Sequence, residues 1–318
     1  MSVMTIVEQM IVICFLILIG GILYRKKILK DLTIKDISAL IVNITNPALL
    51  LHSALSAQEH IPIGKVMGSI ALFTVCYMSA YLIGWIISII MRIPKEKRYA
   101  YQMMTVYGNV GFIGIPLALA VLGNQSLIYV SINNLVYNIL FYTSGMMILN
   151  QKTADSEVSD QNKKSRGCSG LIRKVVNVGT VSAILTIVIY LINPHVPSVV
   201  SDTLNYAGSA TTFLSMLVLG ASVAAMPFRK IFTDLRIYLF TLLRMVVMPI
   251  LLILAIRPWV TDPLLLKVTA LLIAVPAGNL PMIVSRELGL EEEDFAKGIL
   301  VTTMLSPVTI TLVMMILK

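Results

Sequence analysis

Residues 108–116 read GNVGFIGIP, which places three glycines and a proline within nine positions of an otherwise apolar run. Proline removes a backbone donor and clashes with the preceding turn, and each glycine weakens a helix by about 1 kcal/mol. A second stretch, PAGNLP at residues 276–281, lies at the matching depth of a later apolar run. Both stretches therefore predict a helix that breaks partway along its length.

The apolar runs are long enough to cross a bilayer. The chain has 318 residues, of which 57% are hydrophobic and 13% charged, and its mean hydropathy is +0.87. A soluble domain carries about 25% charged residues, and a membrane span needs about 20 apolar residues. We predict an all-α integral membrane protein with ten transmembrane helices near residues 3–23, 37–57, 66–91, 99–122, 125–149, 172–193, 203–225, 235–256, 264–285 and 295–317.

The basic residues are divided unevenly between the loops. Of the 25 Lys and Arg residues, 20 fall in alternate loops, and Arg244 lies inside a span. The other four are Lys65, Arg257, Lys267 and Lys318. Because cytoplasmic loops carry the excess of basic residues, we expect a multi-pass protein of the plasma membrane with both termini extracytoplasmic. The formal charge of +9 then reflects topology, and we expect no nucleic-acid partner.

A polar stretch divides the spans into five and five. We assign residues 1–150 to a first five-helix repeat, 151–171 to a cytoplasmic linker and 172–318 to a second repeat. Because five is odd, the second copy enters the membrane from the opposite side, which predicts two inverted repeats. An offset of 165 positions pairs Pro62 with Pro227, Lys65 with Lys230, Arg92 with Arg257 and Pro116 with Pro281, as expected if the two halves are copies of one unit. The alternative is that two hydrophobic halves match at these positions by chance.

Paired breaks at membrane depth indicate a transport site, because unwound backbone must face protein or a watery cavity. Half-helix N-termini attract a carboxylate, whereas C-terminal carbonyls can hold a cation. Asn109 and Asn279 bring side-chain amides to the breaks, so we expect both to contact a ligand. The alternative is that each asparagine only caps its own broken helix. The other candidates at the breaks are Gly111, Gly114, Pro116, Gly278 and Pro281.

Four further candidates lie outside the two breaks. Asn46 and Pro47 belong to a weaker interruption at residues 43–47 of the second span, whose equivalent in the seventh span is residues 210–212. A simple kink is the alternative for Pro47. Arg244 lies deep in the eighth span, where a charge either holds the substrate anion or pairs with backbone carbonyls at a break. Asn138 is a polar candidate in the fifth span.

The motifs at the breaks resemble those of the auxin efflux carrier (PIN-like) family, whose bacterial members are similar to carriers of malonate and related organic acids. The resemblance implies that helices 4 and 9 are broken and cross, as in the bile acid:sodium symporter and sodium-proton antiporter folds. It also implies a scaffold of helices 1, 2, 6 and 7, a transport domain of helices 3–5 and 8–10, an elevator movement and a homodimer. The matching residues are Asn109, Gly114–Leu117, Leu217–Gly220 through Pro227, Arg244–Val247, Pro249, Pro276, Gly278, Pro281 and Arg286-Glu287.

We expect a secondary transporter that moves a small organic anion, a mono- or dicarboxylate of malonate-like or auxin-like type, with sodium or a proton as candidate coupling ion. A sodium- or proton-coupled cation exchanger is the alternative, although no Asp or Glu lies deep within a span. A membrane sensor or enzyme would need an output domain or a catalytic cluster, and the longest loop has about 21 residues. We expect no cofactor, metal site or enzyme activity, since the three cysteines and three histidines are scattered and no nucleotide-binding loop is present.

Overall fold

A computed structural model describes residues 3–56, 62–155, 178–225, 234–291 and 293–316. Every regular element within these ranges is a helix. Two of the helices are divided into halves, labelled a and b. The helices are α1 (Val3–Arg25), α2 (Asp31–Leu55), α3 (Ile63–Ile90), α4a (Arg98–Val106), α4b (Val110–Leu122), α5 (127–155), α6 (Val178–Ile192), α7 (Ser198–Ala225), α8 (Leu235–Ile256), α9a (Pro263–Ala274), α9b (Leu280–Glu287) and α10 (Glu293–Met315).

The helices have the length and apolar surface of a membrane protein. In the described part of the chain, α2, α3, α7, α8 and α10 are long and apolar enough to cross a membrane. Shorter apolar stretches of 10–17 residues lie in α1, α4b, α6 and α9a. Large apolar side chains such as Phe15 in α1 and Leu82 in α3 point outward and are more than half exposed. An all-helical protein with such faces fits an integral membrane protein, because helices satisfy their backbone groups internally.

Helices α4 and α9 break at the two places that the glycine and proline content predicts. Helix α4a ends at Val106 and α4b begins at Val110, so residues 107–109 form the first break. Helix α9a ends at Ala274 and α9b begins at Leu280, which leaves residues 275–279 as the second. The backbone leaves the helical region at both, with ψ of 97° at Tyr107 and 149° at Val275.

Three prolines within the spans, Pro47, Pro116 and Pro249, are preceded by π-helical turns, whereas Pro307 lies within the α-helix α10. In α2 the turn covers Ile41–Thr45, and Pro47 is the second residue of the α-helix that resumes. Pro116 follows a π turn in α4b in the same way, and Pro249 follows one in α8. A proline ring clashes with the carbonyl on the preceding turn of an α-helix, and the wider π turn relieves that clash.

This arrangement corrects the expectation for the second and seventh spans. Residues 43–47 form no break, since α2 continues through them by way of its π turn. The interruption expected at residues 210–212 is wrong, because α7 is α-helical throughout. Residues 210–212 contain no proline, so each of them keeps the backbone N–H that an α-helix needs.

The end of α5 and the start of α10 can be compared with the boundaries expected from the sequence. Helix α5 extends to Asp155, and residues 156–177, which include most of the predicted linker, lie outside the described part of the chain. Glu293 and Asp294 occupy the first turn of α10. Acidic side chains there stabilise the positive end of the helix dipole.

Helix α7 lies close against α1 and α2 through glycines. A Cβ atom on Gly220 would overlap the carbonyl of Ile17 in α1, and one on Gly208 would lie 2.7 Å from the Cα atom of Leu49 in α2. Only glycine allows backbones to approach this closely. The packing sets α7 beside the π turn of α2 and the first turns of α4b, next to the first break.

Candidate functional site

The two broken segments pair with each other through their backbones. The N–H of Asn109 donates to the carbonyl of Pro276 over 2.8 Å, and the N–H of Gly278 donates to the carbonyl of Tyr107 over 2.9 Å. Gly108 and Ala277 thereby form an isolated antiparallel bridge. Each break supplies partners for the backbone groups that the other frees, so the unwound chain is satisfied inside the protein.

Two glycines permit this close approach. A Cβ atom on Gly278 would lie 2.8 Å from the carbonyl oxygen of Gly108, and one on Gly108 would lie 2.6 Å from the Val275 side chain. The N–H of Ala277 is satisfied by Thr302 of α10, whose Oγ1 accepts it over 3.2 Å. The sequence marks both glycines as helix breakers, and the structure shows that they also make room for the paired backbone.

Arg244 caps the C-terminal ends of both broken helices. Its side chain is buried, and the whole residue is 1% exposed. Its Nε donates to the carbonyl of Met104 over 3.1 Å, in the last turn of α4a. Its Nη1 donates to the carbonyl of Ile273 over 2.9 Å, in the last turn of α9a. The carbonyls of a last helical turn have no partner within the helix, so a single guanidinium supplies a donor to both helix ends.

At the start of α4b, the oxygen and the nitrogen of the Asn109 amide are in different environments. Its Oδ1 accepts from the N–H of Phe112 over 3.2 Å and so caps the half-helix. Its Nδ2 is buried and has no hydrogen-bond partner in the described part of the protein. At the second break the Oδ1 atom of Asn279 is also buried and without such a partner. Capping thus accounts for one end of the Asn109 amide and leaves the other end available to a ligand.

The structure brings Asn46 to the first break. Its Nδ2 donates to the carbonyl of Gly111 over 3.2 Å, which connects α2 to the first turn of α4b. Its Oδ1 is buried and unsatisfied within the described residues, and so are the hydroxyls of Thr45 in α2 and of Thr211 and Ser215 in α7. Buried polar atoms normally have partners, so the unsatisfied atoms of Asn109, Asn279 and Asn46 mark the breaks as a place where a ligand or water would find hydrogen-bond partners.

The remaining candidates at the breaks have positions that helix geometry and packing explain. Gly114 lies against α9a, where a Cβ atom would come within 3.0 Å of the Leu272 side chain. Pro116 and Pro281 each occupy the second position of an α-helical segment, where a missing N–H costs little. Pro47 has the same place in α2 after its π turn.

Asn138 lies elsewhere in the fold. It is buried in α5, and its Nδ2 donates to the carbonyl of Asn134 over 2.8 Å and to Asn134 Oδ1 over 3.1 Å. Asn134 in turn donates to the carbonyl of Gly179 in α6 over 3.5 Å. These contacts hold the Asn138 amide against its own helix, next to the contact of Asn134 with α6.

Tyr77, Asn133 and Thr302 surround the breaks and are absent from the sequence-based candidates. Tyr77 and Asn133 line a cavity of about 30 Å³ with Arg244, and the Tyr77 hydroxyl donates to Asn133 Oδ1 over 3.3 Å. The cavity is large enough for a water molecule. A polar residue inside an apolar span is the only signal for Asn133, and Asn138 carries the same signal. Thr302 has none, since threonines in spans commonly bond their own helix backbone.

The helix ends and Arg244 together set the sign of the electrostatic potential. Two N-termini and two C-termini meet at the breaks, and their partial charges of about +0.5 and −0.5 each nearly cancel. Arginine keeps its proton in proteins, so Arg244 adds a full positive charge. The summed charge of these groups at the breaks is therefore positive.

Comparison with known proteins identifies the family of this chain. The sequence matches the family described as membrane transport protein over residues 5–314, which includes both breaks and Arg244. A protein described as an uncharacterized transporter of Methanocaldococcus jannaschii is 22% identical over 224 residues, which make up 68% of each chain. The chain therefore belongs to the membrane transport protein family, the PIN-like family of the auxin efflux carriers, and is a multi-pass membrane transporter.

Proposed function

We propose that the chain is a secondary transporter of a small organic anion that binds at the paired breaks. The observation that carries the proposal is the meeting of two half-helix N-termini, the unpartnered Nδ2 of Asn109 and the charge of Arg244 in one buried region. N-terminal N–H groups and a nearby cation attract a carboxylate. Asn279 adds a further donor, because flipping its side-chain amide exchanges the unsatisfied Oδ1 for the NH₂ group, which can donate to a carboxylate.

Arg244 acts on the anion through the potential. Its Nε and Nη1 donate to the two helix ends, which hold the guanidinium in place beside Gly108. A fixed cation in a buried region interacts more strongly with a ligand than one in water. Arg244 therefore serves as a positioning residue for the breaks and as the source of positive charge.

The transport cycle we propose is an elevator movement. The chain forms ten spans in two inverted five-helix repeats, with α1, α2, α6 and α7 as scaffold and the other helices as transport domain. The unsatisfied atoms fall on both parts, since Asn46 and Thr211 belong to the scaffold and Asn109 and Asn279 to the transport domain. A ligand that fills the boundary would move with the transport domain. A homodimer in the plasma membrane with extracytoplasmic termini completes the proposal.

Cation exchange receives less support from the same geometry. A cation would need the C-terminal carbonyls of the broken helices, and those of Met104 and Ile273 already accept from Arg244. Arg244 would also repel a cation held nearby. Sodium or a proton remains a candidate coupling ion at some other position.

Uptake into proteoliposomes tests the proposal. Purified protein is reconstituted and supplied with labelled malonate, malate or an aromatic acid under a sodium gradient, a proton gradient or a membrane potential. We expect one of these anions to accumulate. In a double variant with Asn109→Ala and Asn279→Ala, the initial rate of uptake should fall at least about tenfold, because the loss of one ligand bond of about 1.4 kcal/mol lowers affinity tenfold. Failure of every anion under every gradient would overturn the proposal.

Asn138→Ala is the matched control. It removes the same amide from a buried position in α5, where the bonds of Nδ2 run to Asn134. We expect uptake at the wild-type rate. Loss of uptake in this variant alone would place the binding site away from the breaks.

A further inference from the structure

A groove of about 590 Å³ lies at one end of the helix bundle, between α3, α8 and the start of α9a. Its volume falls in the range of about 300–1,000 Å³ typical of ligand sites. Most of its wall is apolar, with Leu72 and Val75 from α3 facing Leu252 and Ile256 from α8. An occupant must therefore be largely apolar.

Polar groups are gathered at one end of the groove. Asp262 Oδ2 accepts from the Tyr129 hydroxyl over 2.8 Å and pairs with Lys65 Nζ at 3.3 Å, while its Oδ1 accepts from the N–H groups of Leu264 and Leu265. These four bonds use the acceptor capacity of the carboxylate. The Lys65 side chain is 54% exposed, and an ammonium group has three donors. Lys65 can therefore donate to a second, negatively charged group at this end.

The surroundings of the groove favour a negative headgroup at a membrane surface. Trp259 borders the groove and is 85% exposed, and tryptophan is enriched where the bilayer meets water. Lys65, which lines the groove, is one of the four basic residues in the loops that are poor in basic residues.

We propose that this groove binds one anionic phospholipid, with an acyl chain between α3 and α8 and the phosphate on Lys65. The apolar wall matches the chain, and the ammonium of Lys65 matches the phosphate oxygens. Neighbouring lipids can reach the site directly because Val75 of its wall is 57% exposed on the outer face of α3. Residues 107–109 and 275–279 of the two breaks do not line the groove, which shares Cys76 and Leu252 with the cavity beside Arg244. The proposal is independent of which anion the protein carries.

Native mass spectrometry of the full-length protein tests the site. The protein is released from detergent micelles that contain equal amounts of phosphatidylglycerol and phosphatidylcholine. We expect one phosphatidylglycerol to be retained, with a preference of about tenfold over phosphatidylcholine, the factor that corresponds to one charge-assisted hydrogen bond of modest strength. Equal retention of the two lipids, or preferential retention of an added free fatty acid, would overturn the proposal.

Two pairs of variants locate the lipid. Gly68 lines the groove and has open space where a side chain would stand, so Gly68→Leu fills the groove without a backbone clash and is expected to abolish retention. Gly64→Leu is the control, since that position is equally open but is not part of the lining. Lys65→Gln is expected to equalise the two lipids, and the exposed Lys35→Gln to leave the preference unchanged. Undiminished retention by Gly68→Leu, with unchanged thermal unfolding, would overturn the site.

Discussion

Arg244 donates to the carbonyl of Met104 over 3.1 Å, a contact between residues 140 positions apart that joins α8 to the end of α4a. The same guanidinium donates to Ile273 in α9a over 2.9 Å. An unpartnered carbonyl at membrane depth costs several kcal/mol, because lipid offers no donor. One side chain therefore stabilises both interruptions, and its charge offsets the negative partial charge of the two helix ends that it caps.

Replacing Arg244 with Gln is expected to lower the stability of the protein by about 3 kcal/mol or more, since two bonds to a charged donor are lost at about 1.5–3 kcal/mol each. Arg244→Lys keeps the charge but cannot reproduce the two separated donors of the guanidinium, so it should fall between the wild type and the Gln variant. Thermal unfolding of the purified protein measures the order. The exposed Arg25→Gln serves as control, and a Gln variant at position 244 as stable as the wild type would contradict the bridging role.

Gly278→Ala tests the close approach of the two breaks. The new methyl would lie 2.8 Å from the Gly108 carbonyl oxygen and 3.0 Å from that of Tyr107, both of which are backbone atoms. We expect a loss of about 1–3 kcal/mol, the usual cost of overpacking, and loss of transport because the backbone bridge is pushed apart. Gly64→Ala, which meets nothing within 4 Å, should keep or slightly raise the melting temperature. Equal behaviour of the two variants would show that the bridge tolerates expansion.

The sequence predicts the two breaks well, because glycine and proline act on the local backbone. Residues 107–109 and 275–279 are nonhelical where the motifs indicate. It predicts Pro47 less well, since a proline can be absorbed by a π turn when the surrounding helix is held by packing. Whether the chain breaks or bulges depends on neighbours that the local sequence does not contain.

In the candidate site too, local features are predicted from the sequence and tertiary contacts are not. Asn109 and Asn46 lie at the first break, as expected from their place beside a helix breaker. Asn138 donates to the Asn134 carbonyl of its own helix, a partner that the sequence does not predict, because a polar residue in a span gives no information about which neighbouring group it faces. The carbonyl partners of Arg244 and the contact of Thr302 with Ala277 arise from tertiary packing, over separations of up to 140 residues in the case of Met104.

Asn109→Ser separates capping from ligand binding. Serine caps a helix about as well as asparagine, so the bond from the Phe112 N–H can be kept, whereas the NH₂ group is removed. We expect stability within about 1 kcal/mol of the wild type but uptake of the anion reduced about tenfold, mainly through a higher KM. Asn109→Ala should lower both stability and uptake. Normal uptake by the Ser variant would leave Asn109 with a capping role alone.

The pH dependence of stability should reveal the network around Asp262. Burial alone would raise the pKa of this carboxyl, but hydrogen bonds from Tyr129, Leu265, Lys65 and Leu264 outweigh burial and hold the pKa below its ordinary value. A carboxyl with a lowered pKa in the folded protein adds stability above its ordinary pKa of about 3.9. That contribution is lost as the pH falls through the pKa that Asp262 has in the folded protein, because protonation removes the negative charge that pairs with Lys65.

Asp262→Asn isolates this contribution from the other titrating groups. Asparagine keeps the cap on α9a, since its Oδ1 can still accept from Leu264 and Leu265, but it carries no charge for Lys65. The melting temperature of the wild type should exceed that of the variant most at pH 7, and the difference should shrink below about pH 4. The exposed Asp36→Asn controls for the loss of a charge and should show a small difference throughout. A difference for Asp262→Asn that is the same at both ends of the range would mean that Asp262 acts as a neutral cap, so that its charge contributes nothing to the link between α3, α5 and α9a.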